Sequence, residues 1–393
     1  MRVREITAFH VRIPLRRTIR HASYTRREND SLIVRCRLDD GTEGWGEALP
    51  RPYVTGETIQ TTLDQLRTTD LKSQLGSPLG SLSEAIQLCN QIAPATGPDD
   101  RRDCFGNSIC CAVELSVLDS VARLHELPLS EVTRLVPEAA GIRESRERVC
   151  YSAAITSSGP FRQWVSAWKV RLYGFGQCKV KVGVEGVDDE DALRRIRGIV
   201  GDRVDLRLDA NEAWSCRNLE SKLEPLRPFS ITAIEQPVPH AEVDGLAKIR
   251  ERITIPIMLD ESLCSLDDAQ RAIERGTCDL FNIRLSKCGG FVNSLRLAAL
   301  AHKAGLGYQL GCQVGETGIL SAAGRHFACS VAGLCSLEGS YDRHLVRERL
   351  TFEDVTFGRG GFAPALTGSG LGVQIDPQAL RRVTLREEHW KIE

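Results

Sequence analysis

The sequence predicts an α/β protein in which a closed barrel of parallel β/α units follows a separate α+β domain. The first observation is a series of polar residues at a nearly constant interval: Lys181, Asp209, Glu235, Asp260, Lys287 and Glu316. Neighbours in this series are 25 to 29 residues apart, which is the length of one β/α unit. The second observation is that short apolar runs alternate with helical stretches from about residue 149. Residues that repeat with the unit lie at the same end of successive strands, and barrel enzymes build their active sites at the C-terminal end.

The first domain is predicted to contain strands and then helices. Residues 1–50 have strand character, with an Asp-Gly hairpin turn at residues 39–42. From Gly56 to about Leu127 the apolar periodicity becomes helical, most clearly over residues 109–124. Strands followed by helices within one segment predict an α+β domain over residues 1–127.

The barrel is predicted over residues 128–345, because eight apolar runs follow one another there. The runs are Val149–Ala154, Cys178–Val182, Val204–Leu208, Ile231–Ile234, Ile255–Leu259, Leu280–Ile283, Gly307–Leu310 and Leu334–Leu337. The last segment, residues 346–393, contains glycine-rich stretches and no clear helix. We expect it to return to the first domain.

Composition excludes several classes of partner. A formal net charge of −1 gives no reason to expect nucleic acid or an anionic membrane. The chain has no apolar stretch long enough to span a bilayer, and its first ten residues lack the apolar core of a signal peptide. Its 14 cysteines show no paired C-x-x-C signature. These features predict a cytoplasmic protein with reduced thiols and neither nucleic acid nor a membrane as partner.

Lys179 and Lys181 are two positions apart on one predicted strand, so their side chains point the same way. Two ammonium groups held together in a partly desolvated barrel lower each other's pKa. One of them then becomes available as a base near neutral pH. A solvated lysine pair on a surface strand is the alternative interpretation.

Asp209, Glu235 and Asp260 each end an apolar run. Any one of them could be a helix N-cap or a salt-bridge partner, but all three follow the period of the barrel. Three carboxylates without histidine or cysteine form an all-oxygen site, which favours Mg²⁺ over Zn²⁺ or copper. We therefore predict one Mg²⁺ per active site, with Mn²⁺ as an alternative ion. Residues predicted to support this site around the ligands are Asn211, Glu261 and Glu316.

Lys287 lies four strands beyond Lys181, which is half-way round an eight-stranded barrel. It is therefore predicted to face Lys181 across the pocket. Two bases on opposite faces of one carbon can remove a proton from one side and return it to the other. The alternative is a structural lysine at the start of the helix that follows Gly289-Gly290.

The whole pattern resembles the enolase superfamily, specifically its muconate-lactonizing-enzyme-like subgroup. The resemblance covers nearly the whole chain and includes the hairpin at residues 41–47, the loop at residues 53–57 and the helix near residues 114–119. The motifs K-x-K, D-A-N, E-Q-P, D-E-S and K-x-G-G follow in order. The resemblance implies a modified (β/α)₇β barrel with an N-terminal α+β capping domain completed by the C-terminal segment. Closed homo-oligomers are frequent among such folds.

The same resemblance implies a chemistry that begins with removal of a proton α to a substrate carboxylate. The metal would be held by Asp209, Glu235 and Asp260, and the product of deprotonation would be an enediolate. Lys179 would stabilise this dianion together with the metal. Lys181 and Lys287 would form the acid/base pair.

Substrate-binding positions are predicted in two places. Two cap loops contribute His21, Ser23 and Tyr53, and the end of the eighth strand contributes Ser340 and Asp342. Members of the family that epimerise dipeptides carry an Asp-x-Asp there for the substrate ammonium, so this chain keeps half of that signature. Arg284 stands where a lysine is common.

The leading hypothesis is racemisation or epimerisation of an amino-acid derivative or dipeptide. Cycloisomerisation (lactonizing) or syn-elimination of the o-succinylbenzoate synthase type is the alternative on the same scaffold, with one lysine as base and the other as a cation. An acid-sugar dehydratase would need a histidine–aspartate dyad at late strand ends, whereas His302 and His326 are predicted on helices. A non-catalytic binding protein would have lost a ligand or a base, and none is lost here.

Overall fold

A computed structural model describes residues 1–20, 25–96, 104–156 and 159–392. The chain begins with long strands and continues with helices, as the pattern of the first domain predicts. The elements before the barrel are β1 Val3–Arg20, β2 Thr25–Leu38, β3 Glu43–Ala48, α1 Ile59–Thr68, α2 Leu71–Leu75, α3 Leu82–Cys89, α4 Asn107–Leu124, α5 Val132–Leu135 and β4 Arg148–Cys150.

Strands and helices then alternate regularly. These elements are β5 Ala153–Ile155, α6 Pro160–Tyr173, β6 Gln177–Lys181, α7 Asp189–Val200, β7 Asp205–Asp209, α8 Leu219–Leu223, β8 Ile231–Glu235, α9 Leu246–Arg250, β9 Ile257–Leu259, α10 Leu266–Arg275, β10 Leu280–Ile283, α11 Phe291–Lys303, β11 Gly307–Leu310, α12 Gly318–Ser330 and β12 Leu334–Leu337. The chain ends with α13 Asp342–Leu345, β13 Phe362–Pro364, α14 Pro377–Val383 and β14 Thr384–Lys391.

Strands β5 to β12 form one parallel sheet in sequential order. The backbone N–H of Ser152, just before β5, donates to the carbonyl of Leu337 in β12 at 2.7 Å, which brings the two edges together. Seven helices separate the eight strands, so the predicted (β/α)₇β barrel is confirmed. Side chains such as Val180 and Leu208 are fully buried in its walls, as expected for parallel strands covered by helices.

The N-terminal sheet is antiparallel, in the order β14-β1-β2-β3. Helix α4 packs closely on β3. A Cβ added at Gly44 would lie only 2.1 Å from Ser120 N, and one added at Gly46 only 2.0 Å from Ala112 O. Gly44 and Gly46 of the hairpin are therefore required by the close approach of a helix backbone.

Two buried glutamates attach this domain to the barrel. Glu47 in β3 accepts hydrogen bonds from Thr317 and Leu320 N–H at the start of α12. Glu114 in α4 accepts from Phe291 and Val292 N–H at the start of α11. The first turn of a helix has N–H groups without intrahelical partners, and these groups favour a carboxylate. Helices α11 and α12 follow the loops that leave β10 and β11, so the first domain is held over the C-terminal rim of the barrel.

The C-terminal segment returns to the first domain, because β14 pairs antiparallel with β1. The expectation of no clear helix in this segment is wrong. Helix α14 begins at Pro377 after the N-cap Asp376, whose side chain accepts from Gln378 and Ala379 N–H. The helix has only seven residues, too few for a clear periodic pattern. The three segment boundaries remain a prediction.

None of the helices in the described ranges combines the length and apolar character that crossing a membrane requires.

Candidate active site

The strand register of the barrel brings the predicted lysines and carboxylates to one rim. In the strand register, Lys181 of β6 lies beside Asp209 of β7, and Asp209 lies beside Glu235 of β8. Asp260 directly follows the last residue of β9. These side chains therefore occupy the C-terminal ends of four adjacent strands, where the period of the sequence predicts them.

Lys179 is surrounded by carboxylates. Its Nζ lies 2.8 Å from Glu338 Oε2, 3.3 Å from Glu235 Oε2 and 3.4 Å from Asp209 Oδ2. Burial lowers the pKa of Lys179, but Glu235, Glu338 and Asp209 outweigh it and hold the pKa well above its usual value. Lys179 is thus a fixed cation at the centre of the site.

Lys181 has a different environment. It is partly exposed, and no carboxylate among the described residues lies within ion-pair distance of its Nζ. Burial lowers the pKa of Lys181, and the positive charge of Lys179 lowers it further, against the opposing effect of Asp209 and Glu261. The sequence predicts that each lysine lowers the pKa of the other. In the structure only the pKa of Lys181 is lowered, because the carboxylates around Lys179 raise the pKa of that residue.

Asp209, Glu235 and Asp260 form a strongly acidic group of oxygens. Burial raises the pKa of Glu235 to about 8, and the repulsion of Asp209 and Asp260 also raises it. In the described part of the chain, no three histidine, cysteine, aspartate or glutamate side chains converge closely enough to hold a metal ion. Nitrogens of Lys179 and Arg284 lie among the carboxylates instead. Repelling buried carboxylates that already attract cationic nitrogens are a donor set that fits a hard divalent cation.

Neighbouring loops support these carboxylates. The side chain of Gln236 accepts from the N–H groups of Asp260 and Ser262 at 3.0 and 3.1 Å, which ties the loop after β8 to the loop after β9. Asn211 Nδ2 donates to Glu261 Oε1 at 3.2 Å. The predicted supporting residues Asn211 and Glu261 thus contact each other beside the site and connect the D-A-N motif with the D-E-S motif.

Glu316, the third predicted supporting residue, lies in the loop between β11 and α12. Its Oε1 accepts from Gln313 N–H at 2.6 Å. Burial raises the pKa of Glu316 to about 8, and the nearby Glu47 also raises it. It lines a small cavity at the rim together with Glu338 and Ser340.

Lys287 does not face Lys181 across the pocket, contrary to the expectation from its position in the series. Its side chain is completely buried. Nζ donates to the backbone carbonyls of Asp260 and Asn282 at 2.6 and 2.8 Å and to Asp260 Oδ1 at 3.0 Å. The lysine lies four residues beyond the end of β10, where a loop and not strand alternation sets the direction of the side chain.

Arg284, three residues before Lys287, lies among the carboxylates of the rim. It directly follows β10, and its guanidinium binds Asp260 Oδ2 and lies 3.5 Å from Glu235 Oε1. In the same strand, Asn282 Nδ2 donates to Glu235 Oε1 at 2.8 Å. Arg284 could have been found from the rule that located Asp260, since each is the first residue after an apolar run.

Glu338 is a second rim residue that was not predicted, although it too is the first residue after an apolar run. It directly follows β12, binds Lys179 and lies 3.4 Å from Arg207 Nη1. Burial raises the pKa of Glu338, but Lys179 and Arg207 outweigh it, so the carboxylate has a pKa below its usual value. It adds a carboxylate beside Lys179 to those of Asp209 and Glu235.

The predicted substrate-binding residues of the eighth strand are buried in separate contacts. Ser340 Oγ contacts Tyr151 OH at 2.9 Å and accepts from Arg325. Asp342 begins α13, where its Oδ1 accepts from Arg343 N–H at 2.7 Å. Ser340 lines the rim cavity and Asp342 does not, so Asp342 as a receptor for a substrate ammonium is not supported by its position.

The predicted cap-loop residues have mixed outcomes. Tyr53 packs beside Val54, Cys104 and Cys264, close to the loop that follows β9. His21 and Ser23 lie outside the described residues.

Comparisons with known proteins agree with this architecture. The family model "Enolase C-terminal domain-like" matches residues 162–379, and that of the mandelate racemase / muconate lactonizing enzyme N-terminal domain matches residues 3–133. The N-succinyl-L-Arg/Lys racemase of Bacillus cereus is 27% identical over 98% of this chain and 99% of its own length. The hydrophobic dipeptide epimerase of Enterococcus faecalis is 28% identical over 84% of this chain and 88% of its own.

Among solved structures, the chain is similar to the dipeptide epimerase of Cytophaga hutchinsonii complexed with Mg and the dipeptide D-Ala-L-Val. The TM-score is 0.83 at 24% identity, and the alignment covers 99% of this chain and 100% of that chain. This likeness is one of fold.

Proposed function

This chain belongs to the mandelate racemase/muconate lactonizing enzyme family of the enolase superfamily, and we propose that it is an isomerase that removes a proton α to a substrate carboxylate. The favoured reaction is racemisation or epimerisation of an amino-acid derivative or dipeptide. The names of its relatives, a racemase of N-succinyl amino acids and an epimerase of dipeptides, support this substrate class.

The observation that carries the proposal is the contrast between the two lysines of β6. Lys181 is partly exposed and has a pKa below that of an ordinary lysine, which makes its neutral amine available as a general base. Lys179, two residues away, remains charged among carboxylates. A base and a fixed cation side by side are what abstraction of a weakly acidic α-proton needs.

Lys181 takes the α-proton, and the electron pair of the C–H bond moves toward the carboxylate to give an enediolate. Lys179 places a positive charge beside the developing negative charge, and its side chain is largely buried, where such a charge is most effective. Residues Asp209, Glu235 and Asp260 would hold Mg²⁺, which when bound supplies further neutralising charge to the substrate carboxylate.

Removal of the metal tests this assignment. We expect excess EDTA to abolish turnover, because a dianionic intermediate then loses most of its counter-charge, and we expect Mg²⁺ to restore it. Mn²⁺ should substitute in part, since it also prefers oxygen ligands. Full activity in excess EDTA would rule out the metal site.

Cycloisomerisation or syn-elimination is a second candidate, favoured by one observation. Arg284, not a second lysine, directly follows β10 at the rim, and a guanidinium acts as a cation more readily than as a base. No comparable observation favours an acid-sugar dehydratase, because His302 and His326 lie within helices α11 and α12.

A cytoplasmic location remains part of the proposal. It is supported by the cysteines, between which no disulfide bond forms in the described residues.

A further inference from the structure

The barrel geometry places Arg284 opposite Lys181. In the sheet order, β10 is four strands from β6 in either direction round the eight-stranded barrel. Arg284 is the first residue after β10, and Lys181 is the last residue of β6. Both therefore stand at the same level of the rim, on opposite sides of the carboxylates.

Lys287, in contrast, has no hydrogen left for a substrate. An ammonium group has three N–H donors, and Lys287 directs hydrogen bonds to three acceptors, two of them backbone carbonyls. Its own carbonyl accepts from Asn107 Nδ2 of the first domain at 2.7 Å. To reach the pocket, the side chain would have to leave these buried carbonyls without a donor, which is costly.

We propose that Arg284, and not Lys287, faces the substrate from the side opposite Lys181, so that the pocket presents an amine on one side and a guanidinium on the other. Lys287 is then a structural residue that fixes the backbone and side chain of Asp260. This inference rests on the proposed function in assuming that Lys181 is the base.

The consequence is an unequal pair of faces. Lys181 takes the α-proton, the C–H electron pair forms the enediolate, and the Lys181 ammonium exchanges with solvent and returns a hydrogen to the same face. Arg284 keeps its proton and is a poor base, so the α-hydrogen of the opposite stereoisomer is removed less readily. For the stereoisomer whose α-hydrogen points to Lys181, solvent exchange should therefore exceed interconversion.

Two variants test this in the Mg²⁺-loaded enzyme in D₂O, with α-deuteration and stereochemistry followed on the same N-succinyl amino acid or dipeptide. We expect exchange to exceed interconversion about tenfold or more in the wild type. Arg284→Lys adds an amine on the second face and should raise the ratio of interconversion to exchange. Lys287→Met should leave that ratio unchanged in the folded fraction. A ratio of interconversion to exchange that is near one in the wild type would overturn the inference. A ratio that falls sharply in Lys287→Met but not in Arg284→Lys would also overturn it.

A second measurement is independent of turnover. The full-length chain without added metal is treated with acetic anhydride under native conditions, and acetylation at each lysine is followed by peptide mass spectrometry. We expect Lys181 to be modified and Lys287 to be protected until the chain unfolds. Modification of Lys287 at the rate of Lys181 would overturn the inference, even if no substrate exchanges and the proposed function fails.

Discussion

β6 and β10 lie on opposite sides of the barrel, and each brings two basic residues to the C-terminal rim. On β6 the residues are two apart within a strand, so Lys179 and Lys181 both point to the same side of the sheet. On the β10 side Arg284 reaches the carboxylates, while Lys287, three residues later in a loop, is buried against Asp260. The period of a barrel thus locates a strand end reliably, but strand alternation is needed to fix where a side chain points.

The largest expected effect comes from the β6 side. Lys181→Met should lower kcat/KM for α-proton exchange by about 10²- to 10⁴-fold, because a positioned general base contributes that much. The measurement is α-deuterium incorporation by the Mg²⁺-loaded variant. Lys303→Met, at an exposed lysine near the end of α11, is the matched control and should retain full activity. Equal loss in both variants would contradict the role of Lys181.

The β10 side should respond in stability. Lys287→Met leaves Asp260 without one partner of a fully buried ion pair, and such a change costs about 3–5 kcal/mol. The free energy of unfolding from urea titration measures this loss. Lys303→Met should stay within about 0.5 kcal/mol of the wild type. If the free energy of unfolding of Lys287→Met were unchanged, the ion pair between Lys287 and Asp260 would not stabilise the fold.

A smaller effect separates the two sides by pH. Because the pKa of Lys181 is lowered while that of Lys287 is raised by Asp260 against the effect of burial, only Lys181 can lose its proton below the range of an ordinary lysine. kcat/KM should rise about tenfold per pH unit and level off below pH ~10.5, the usual lysine value. A rate that continues to rise beyond that pH would assign the base to a lysine with an unperturbed or raised pKa.

The sequence was sufficient for the barrel and for most of its rim. Apolar runs separated by helical patterns predicted the strands, and the polar residue that ends or directly follows a run predicted Asp209, Glu235 and Asp260. The same rule, applied to every run, would also have identified Arg284 and Glu338. Lys287 was predicted instead of these two residues, because it fits the nearly constant interval between the polar residues.

Other features depend on tertiary contacts that no local pattern reveals. The pairing of Lys179 with Glu338 joins the second and eighth strands of the barrel, and it determines which of the two β6 lysines stays charged. The burial of Asp342 depends on the turn that begins α13. Helix α14 is too short for its periodicity to be recognised beside glycine-rich loops.

We infer that the lysines of β6 and the rim carboxylates together transfer a proton at a carbon next to a carboxylate. The most direct measurement incubates the wild-type protein with Mg²⁺ in D₂O against separate pools of dipeptides, N-acyl amino acids, muconate-type diacids and acid sugars, with mass spectrometry of α-deuterium. We expect incorporation in the dipeptide or N-acyl amino-acid pool, abolished by EDTA and by Lys181→Met. Incorporation that persists undiminished in Lys181→Met, or no incorporation in any pool, would contradict the account.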